Sequence, residues 1–194
     1  LPRLVELKRK YPGVLLYLDE AHAFGLRGNR GLGCAEEQGC LPEIDLLVGT
    51  FGKALASAGA FVVCSRTIRD YLVNKMRTFV FTTALPPWQM EWTSFLLDRL
   101  PSLSGRRERL GRMGHFLRRA AHARGYRCPS TSHIVPLIAG TSSEAAKLAL
   151  RLQERGFYVL PVRPPSVPEG TARVRISLTA SLPDEALQKL AEAL

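Results

Sequence analysis

Long apolar runs are missing from this sequence of 194 residues, so no segment reads as a bilayer span. No charged-then-apolar stretch opens it in the manner of a secretory signal. Cysteine is sparse. The four (Cys34, Cys40, Cys64 and Cys128) form no CxxC pair and have no ligand spacing with His22, His115, His122 or His133. A zinc module and a disulfide scaffold are therefore both excluded, and reduced thiols in a cytoplasmic protein without a bound metal are expected. Acidic residues are also short, 17 against 27 basic ones, which leaves a net charge of +10. Much of that surplus lies between Arg106 and Arg127. There Leu110, Met113, Leu117 and Ala120 recur at helical spacing, with Arg107, Arg112, Arg118 and Arg119 mostly between them. No aromatic residues interleave with these arginines to stack on bases. The segment reads as a helix with a solvated basic face, and no nucleic-acid or membrane partner is expected. The surplus suits an anionic substrate, as an effect on encounter rate.

What is present is a globular composition, 46% hydrophobic, without internal repeats. Two stretches organise it. Val14-Leu15-Leu16-Tyr17-Leu18 leads into Asp19-Glu20-Ala21-His22, and Leu46-Leu47-Val48 leads into Gly49-Thr50-Phe51-Gly52-Lys53. Short apolar runs bounded by turn residues predict buried strands of a parallel sheet. The chemical residues then fall just past the carboxyl ends of two strands, where open α/β sheets build their ligand crevices.

Around these, Leu1 to Lys10 predicts a helix stopped by Tyr11-Pro12-Gly13, and Phe24 to Gly33 a glycine-rich loop. Phe61 to Val63 predicts a third strand, and Thr67 to Arg77 a helix. Pro87 suits the first turn of another helix, with Met90, Leu96, Leu97 and Leu100 as its apolar set. A domain boundary is expected near Pro101, giving domains of residues 1–100 and 101–194. Beyond it, Gly125 suits a helix C-cap. Ile134 to Ile138 predicts a strand whose Pro136 suits an edge, and Thr141-Ser142-Ser143-Glu144 is a capping-box pattern. Gly156 ends that helix. Phe157 to Leu160 and Ala172 to Leu178 predict strands, Arg163 to Pro168 a stiff loop, and Ser181 to Glu185 the start of a last helix.

Asp19-Glu20-Ala21-His22 has the letters of a helicase magnesium box, and Gly52-Lys53 the tail of a phosphate-binding loop. That loop, however, needs Gly at position 47 and Ser or Thr at 54, where Leu47 and Ala54 stand, and the order of the two boxes is reversed. A pyridoxal phosphate site has different demands. It needs a lysine to hold the cofactor's aldehyde and a carboxylate to keep the pyridine nitrogen protonated, so that the ring acts as an electron sink. Lys53 and Asp19, at neighbouring strand ends, serve those demands. Thr50 adds hydroxyl and backbone donors for a phosphate, and Ala54 to Ala60 is a small-residue tract that a flat ligand can approach. Arg173, Arg175 and Ser177 share one strand face, opposite Val174, Ile176 and Leu178. An arginine there can grip a carboxylate through two parallel hydrogen bonds.

The strings LYLDEAHAFGLRGNRGLG, GTFGKALASAGAFVV, FTTALPP and RPPSVPEGTARVRISLTA, in that order, resemble the α-oxoamine synthase family of pyridoxal phosphate enzymes. The resemblance implies an aspartate-aminotransferase-like (fold type I) α/β chain, with part of a mostly parallel large-domain sheet followed by a small C-terminal α/β domain. It implies Lys53 as the Schiff-base lysine, Asp19 at the pyridine nitrogen, His22 as a further catalytic group at the phenolic oxygen and Thr50 on the phosphate side. Thr83 is implied to reach the cofactor of a second subunit, hence a homodimer with shared sites. Ser166, at a position usually Thr, and Arg175 are implied to bind substrate. Arg163-Pro-Pro-Ser-Val-Pro168 and His133-Ile-Val-Pro-Leu-Ile-Ala-Gly140 are most similar to the biotin-biosynthesis branch, which condenses L-alanine with pimeloyl-CoA or a pimeloyl carrier protein. Branches using glycine with acetyl- or succinyl-CoA are the alternative, and a non-catalytic partner subunit or a basic NTP-binding module stands outside them. The family's ring-stacking histidine, phosphate-binding helix start and N-terminal substrate arginine are expected before Leu1, so the sequence reads as a C-terminal half.

Overall fold

The computed structural model describes residues 1–194, and the chain divides into two compact units, Leu1–Gly105 and Arg106–Leu194. The first unit begins with α1 (Pro2–Lys10), whose last turn carries Lys8, Arg9 and Lys10, the end where cations meet the unpaired carbonyls favourably. Three strands follow: β1 (Tyr17–Asp19), β2 (Leu46–Thr50) and β3 (Ala60–Cys64). They form one sheet in that order, β1 parallel to β2 and β2 antiparallel to β3. The sheet is thus mixed, because the short link from Thr50 to Ala60 is a hairpin, and a parallel return needs a longer crossover. Between β1 and β2 lies α2 (Cys34–Glu37).

The first strand differs from the expectation of a buried run from Val14. It is three residues long, with Leu15 and Tyr17 61% and 64% exposed. Of these three strands only β2 shows a clean alternation, with Leu47 and Gly49 buried. Gly49 is required by its partner across the ladder. Phe61 lies over it so closely that a Cβ there would sit 2.4 Å from the ring. Phe61 packs edge-on to Phe24 at 4.7 Å between ring centroids and against Phe51 at 5.1 Å. With Leu55 and Leu100 these residues make the apolar cluster under the end of the sheet.

Helices α3 (Arg66–Lys75), α4 (Arg77–Val80) and α5 (Pro87–Arg99) complete the unit. The apolar set expected for α5 is corrected by the structure. Met90 and Leu97 are exposed, Leu96 and Leu100 reach the cluster, and the buried residue within the helix is Thr93. A 3-10 turn (Leu100–Leu103) leads into α6.

In the second unit, α6 (Ser104–Ala123) buries Leu110, Met113, Leu117 and Ala121 and leaves Arg106, Arg112 and Arg119 exposed, with Arg107, Arg109 and Arg118 half-buried. Gly125, at φ 81, ends it, with the Tyr126 N–H donating back to the Ala121 carbonyl. The sheet runs β4 (Ile134–Gly140), β6 (Ala172–Ser177), β5 (Pro161–Val162), all antiparallel. β4 is an edge strand, so the missing N–H of Pro136 is tolerated. α7 (Ser142–Glu154) opens with the full capping box of Thr141 and Glu144. The strand expected over Phe157 to Leu160 is absent. That stretch is unpaired, Tyr158 is 84% exposed, and pairing begins only at Pro161. α8 (Asp184–Ala193) closes the chain, and Arg109 holds its entry by pairing with Asp184 at 2.7 Å and donating to the Ala180 and Leu182 carbonyls. No helix is long and apolar enough to cross a membrane.

Candidate active site

Asp19 is the last residue of β1, opposite Val48, and the Glu20 N–H extends the ladder by one bond to the Val48 carbonyl at 2.7 Å. The chain then turns. The Ala21 N–H donates to Asp19 Oδ1 at 2.8 Å, which fixes the carboxylate. The second oxygen, Oδ2, has no protein partner. His22 lies exposed on the turn that follows, which closes as the Ala23 and Phe24 N–H groups both donate to the Glu20 carbonyl.

Thr50 ends β2. Its hydroxyl donates to the Gly59 carbonyl at 3.1 Å and accepts from the Gly52 N–H at 3.1 Å, so both donors expected for a phosphate are engaged inside the turn. The Phe51 N–H also donates to the Gly59 carbonyl, and the Ser57 N–H to the Phe51 carbonyl. Phe51 and Leu55 are buried on either side of Gly52-Lys53-Ala54 and anchor the turn in the apolar cluster. Lys53 itself is exposed, and its Nζ has no protein partner. A Cβ at Gly25 would lie 2.8 Å from Ala54 Cβ. That close approach sets the turn after Asp19 against the turn carrying Lys53.

These residues fit pyridoxal phosphate. A positioned carboxylate with one oxygen free and an unpaired ammonium group stand on neighbouring strand ends. The ground beside Lys53 is open, since a Cβ at Gly52 would meet nothing nearer than 3.6 Å. Thr83 lies exposed in the extended stretch before α5 and its hydroxyl makes no hydrogen bond; two residues on, Leu85 packs over Gly59. No group of three or more His, Cys, Asp or Glu side chains is placed to hold a metal ion.

In the second unit, one sheet face carries the arginines and the other is buried through Ala172, Val174 and Ile176. Arg173 is engaged locally, with Nε donating to the Thr171 carbonyl and a terminal nitrogen to its hydroxyl, both at 2.9 Å. Arg175 is exposed and without a partner, which leaves its guanidinium fork for a ligand. Ser166 is exposed on the loop between β5 and β6, its N–H bonded to the Arg163 carbonyl.

Two features escaped the sequence. Glu20 is only 2% exposed. Its Oε1 accepts from the Ala35 N–H at 2.7 Å and its carboxyl crowds Gly33, so it ties the glycine-rich loop to the end of β1. Burial, and then the Glu20 charge, push the neighbouring Cys34 thiol up from its ordinary range. The second is a polar ring of Ser57, Gln89 and Thr93 between the Lys53 turn and α5. Neither has periodicity, since each lies beside or within a stretch read for other reasons.

The sequence profile of the class I and II aminotransferases matches residues 1–194. A Pasteurella multocida protein provisionally named 8-amino-7-oxononanoate synthase is 53% identical over 94% of this chain and 47% of its own length. The Sphingomonas wittichii serine palmitoyltransferase structure superposes with a TM-score of 0.91 at 30% identity, over 98% of this chain and 48% of that one. The 8-amino-7-oxononanoate synthase structure from Francisella tularensis gives a TM-score of 0.85 at 27% identity, over 98% and 56%. The chain spans about half the length of the curated relatives it matches.

Proposed function

The chain belongs to the class I and II aminotransferase family, within it to the α-oxoamine synthases whose cofactor is pyridoxal phosphate, and from that membership we propose that its protein condenses L-alanine with a pimeloyl thioester, releasing carbon dioxide and forming 8-amino-7-oxononanoate. The observation that carries the chemistry is the pair of unpartnered groups, Asp19 Oδ2 and Lys53 Nζ, on turns packed together at Gly25 and Ala54. The choice of substrates rests on the 53% identity to the Pasteurella protein. A homodimer, with Thr83 serving the second subunit's site, belongs to the same reading.

When bound, the cofactor supplies an electron sink for a carbon losing a proton or a carboxylate. Asp19 would hold the cofactor's ring nitrogen protonated, its carboxylate kept oriented by the Ala21 N–H. Lys53 Nζ would hold the cofactor through its aldehyde and would be the base that moves a proton at the substrate's α-carbon. His22 would meet the cofactor's phenolic oxygen. Thr50 keeps the turn closed through Gly52 and Gly59, so Lys53 meets its target without reorganisation. Arg175 takes the amino acid's carboxylate on two parallel hydrogen bonds, and Ser166 contacts substrate from the loop before β6.

Loading the protein with pyridoxal phosphate, reducing with borohydride and mapping the labelled peptide should place the label on Lys53. Turnover is then compared for L-alanine, glycine and L-serine with pimeloyl-, acetyl-, succinyl- and palmitoyl-CoA. Preference for alanine with the pimeloyl donor is expected. Preference for serine with the palmitoyl donor would favour the second reading, which the serine palmitoyltransferase superposition supports. Absence of label on Lys53 would refute both.

A further inference from the structure

We propose that Thr93 of α5 is a positioning residue for the turn that carries Lys53, acting through Ser57; this rests on the reading of Lys53 as the cofactor-holding lysine. Thr93 is 3% exposed, a polar side chain in the helix's buried face. Its hydroxyl donates to the Gln89 carbonyl at 2.9 Å, so its proton is spent. The 2.8 Å contact between Thr93 Oγ1 and Ser57 Oγ is therefore a bond donated by Ser57. The Gln89 side-chain amide in turn donates to Ser57 Oγ at 3.0 Å. Each hydroxyl gives one hydrogen bond and receives one, and the ring is closed.

Ser57 is not a bystander in the turn. Its N–H donates to the Phe51 carbonyl at 3.0 Å, the bond that closes the chain over Gly52-Lys53-Ala54. Next to it, Ala56 has φ 48, a left-handed conformation that a residue with a Cβ adopts only where its surroundings hold it. The hold is visible: the Ala56 N–H donates to the Lys53 carbonyl, and the Ala56 carbonyl accepts from Trp92 Nε1 at 3.3 Å. Residues Gln89, Trp92 and Thr93 thus grip Ala56 and Ser57 from one helix. A lysine that must meet an aldehyde carbon and then an α-proton needs such a fixed base, since small misplacements cost rate steeply.

The test uses Thr93→Val, which keeps shape and removes Ser57's acceptor, with Thr93→Ser as the rescue. Hydrogen exchange of the cofactor-free protein reads the turn directly. In Thr93→Val the amides of residues 51–59 should exchange about ten-fold faster while those of α1 keep their rate. Pyridoxal phosphate with borohydride, well below the unfolding temperature, should label Lys53 about ten-fold more slowly. Thr93→Ser should return both readouts to near the wild type. If Thr93→Val does not fold, Trp92→Phe, exposed and close in shape, should loosen the same amides in the same direction. Wild-type exchange across 51–59 in the valine or phenylalanine variant, or a serine variant as defective as the valine one, overturns the proposal. Exchange needs no cofactor. A wild-type protein that takes no label at Lys53 therefore counts against the cofactor reading, and exchange alone then decides whether Thr93 holds the turn.

Discussion

Replacing Gly25 by alanine should destabilise the first unit at the point where the Asp19 and Lys53 turns meet. Gly25 sits at φ 84, where a Cβ is unfavourable, and the added carbon would lie 2.8 Å from Ala54 Cβ and 3.2 Å from Leu55 Cδ1. The backbone cost is about 1–2 kcal/mol. Ala54 Cβ is rigid with its backbone, so relief requires moving the Lys53 turn, an overpacking cost of about 1–3 kcal/mol. Together these are about 2–5 kcal/mol, a large part of a typical folding free energy. Gly13→Ala separates the two contributions, because Gly13 has φ 89 and nothing within 4 Å of a built Cβ. Urea unfolding of both variants, followed by a signal from the first unit, should give Gly25→Ala the larger loss by at least about 1 kcal/mol. The folded fraction of Gly25→Ala should also label more slowly at Lys53, since the displaced turn carries that lysine. Equal losses for the two variants would refute the claim that the Asp19 and Lys53 turns touch at this point.

Asp45 supplies a pH dependence. Its carboxylate accepts from Lys8 Nζ at 2.7 Å and from the Leu16 N–H at 2.8 Å, and these bonds hold its pKa below the ordinary value, Lys8 foremost. A lowered folded pKa gives stability that is present above the unfolded value near ~3.9 and lost as pH falls through the folded one. Acid titration of unfolding should show that loss in the wild type and a flatter curve in Asp45→Asn. In the second unit, Arg175→Lys should raise the KM for the amino acid about ten-fold or more, because a lysine cannot reproduce the two-pronged grip. Arg173→Lys should change it little, since Arg173 is bound to Thr171; a larger effect at Arg173 would reverse the assignment.

The placement of the candidate residues at strand ends and turns was legible from the sequence. Asp19, Thr50 and Lys53 follow apolar runs, and a strand end is a strand end whatever packs on it. The capping box at Thr141 and the edge position of Pro136 were legible for the same reason, since each is decided by bonds the backbone makes or lacks locally. Failures occurred where partners decide. Phe157 to Leu160 has the letters of a strand, but pairing with β6 begins at Pro161. Apolar letters did not make a buried face of α5, because the cluster under the sheet takes Leu96 and Leu100 and leaves Met90 outside.

The sequence by itself determined which chemical groups exist, their order along the chain and the backbone turns that present them, since these depend on neighbours a few residues apart. Tertiary structure decided which groups remain unpaired. Arg173 and Arg175 are indistinguishable in a strand pattern, yet one guanidinium is spent on Thr171 and the other is free. Glu20 beside Asp19, and Thr93 within an apolar helix, acquire their roles only from Ala35 and Ser57. A hydrogen bond requires two groups brought within about 3 Å, and for residues far apart in the chain only the folded packing does that.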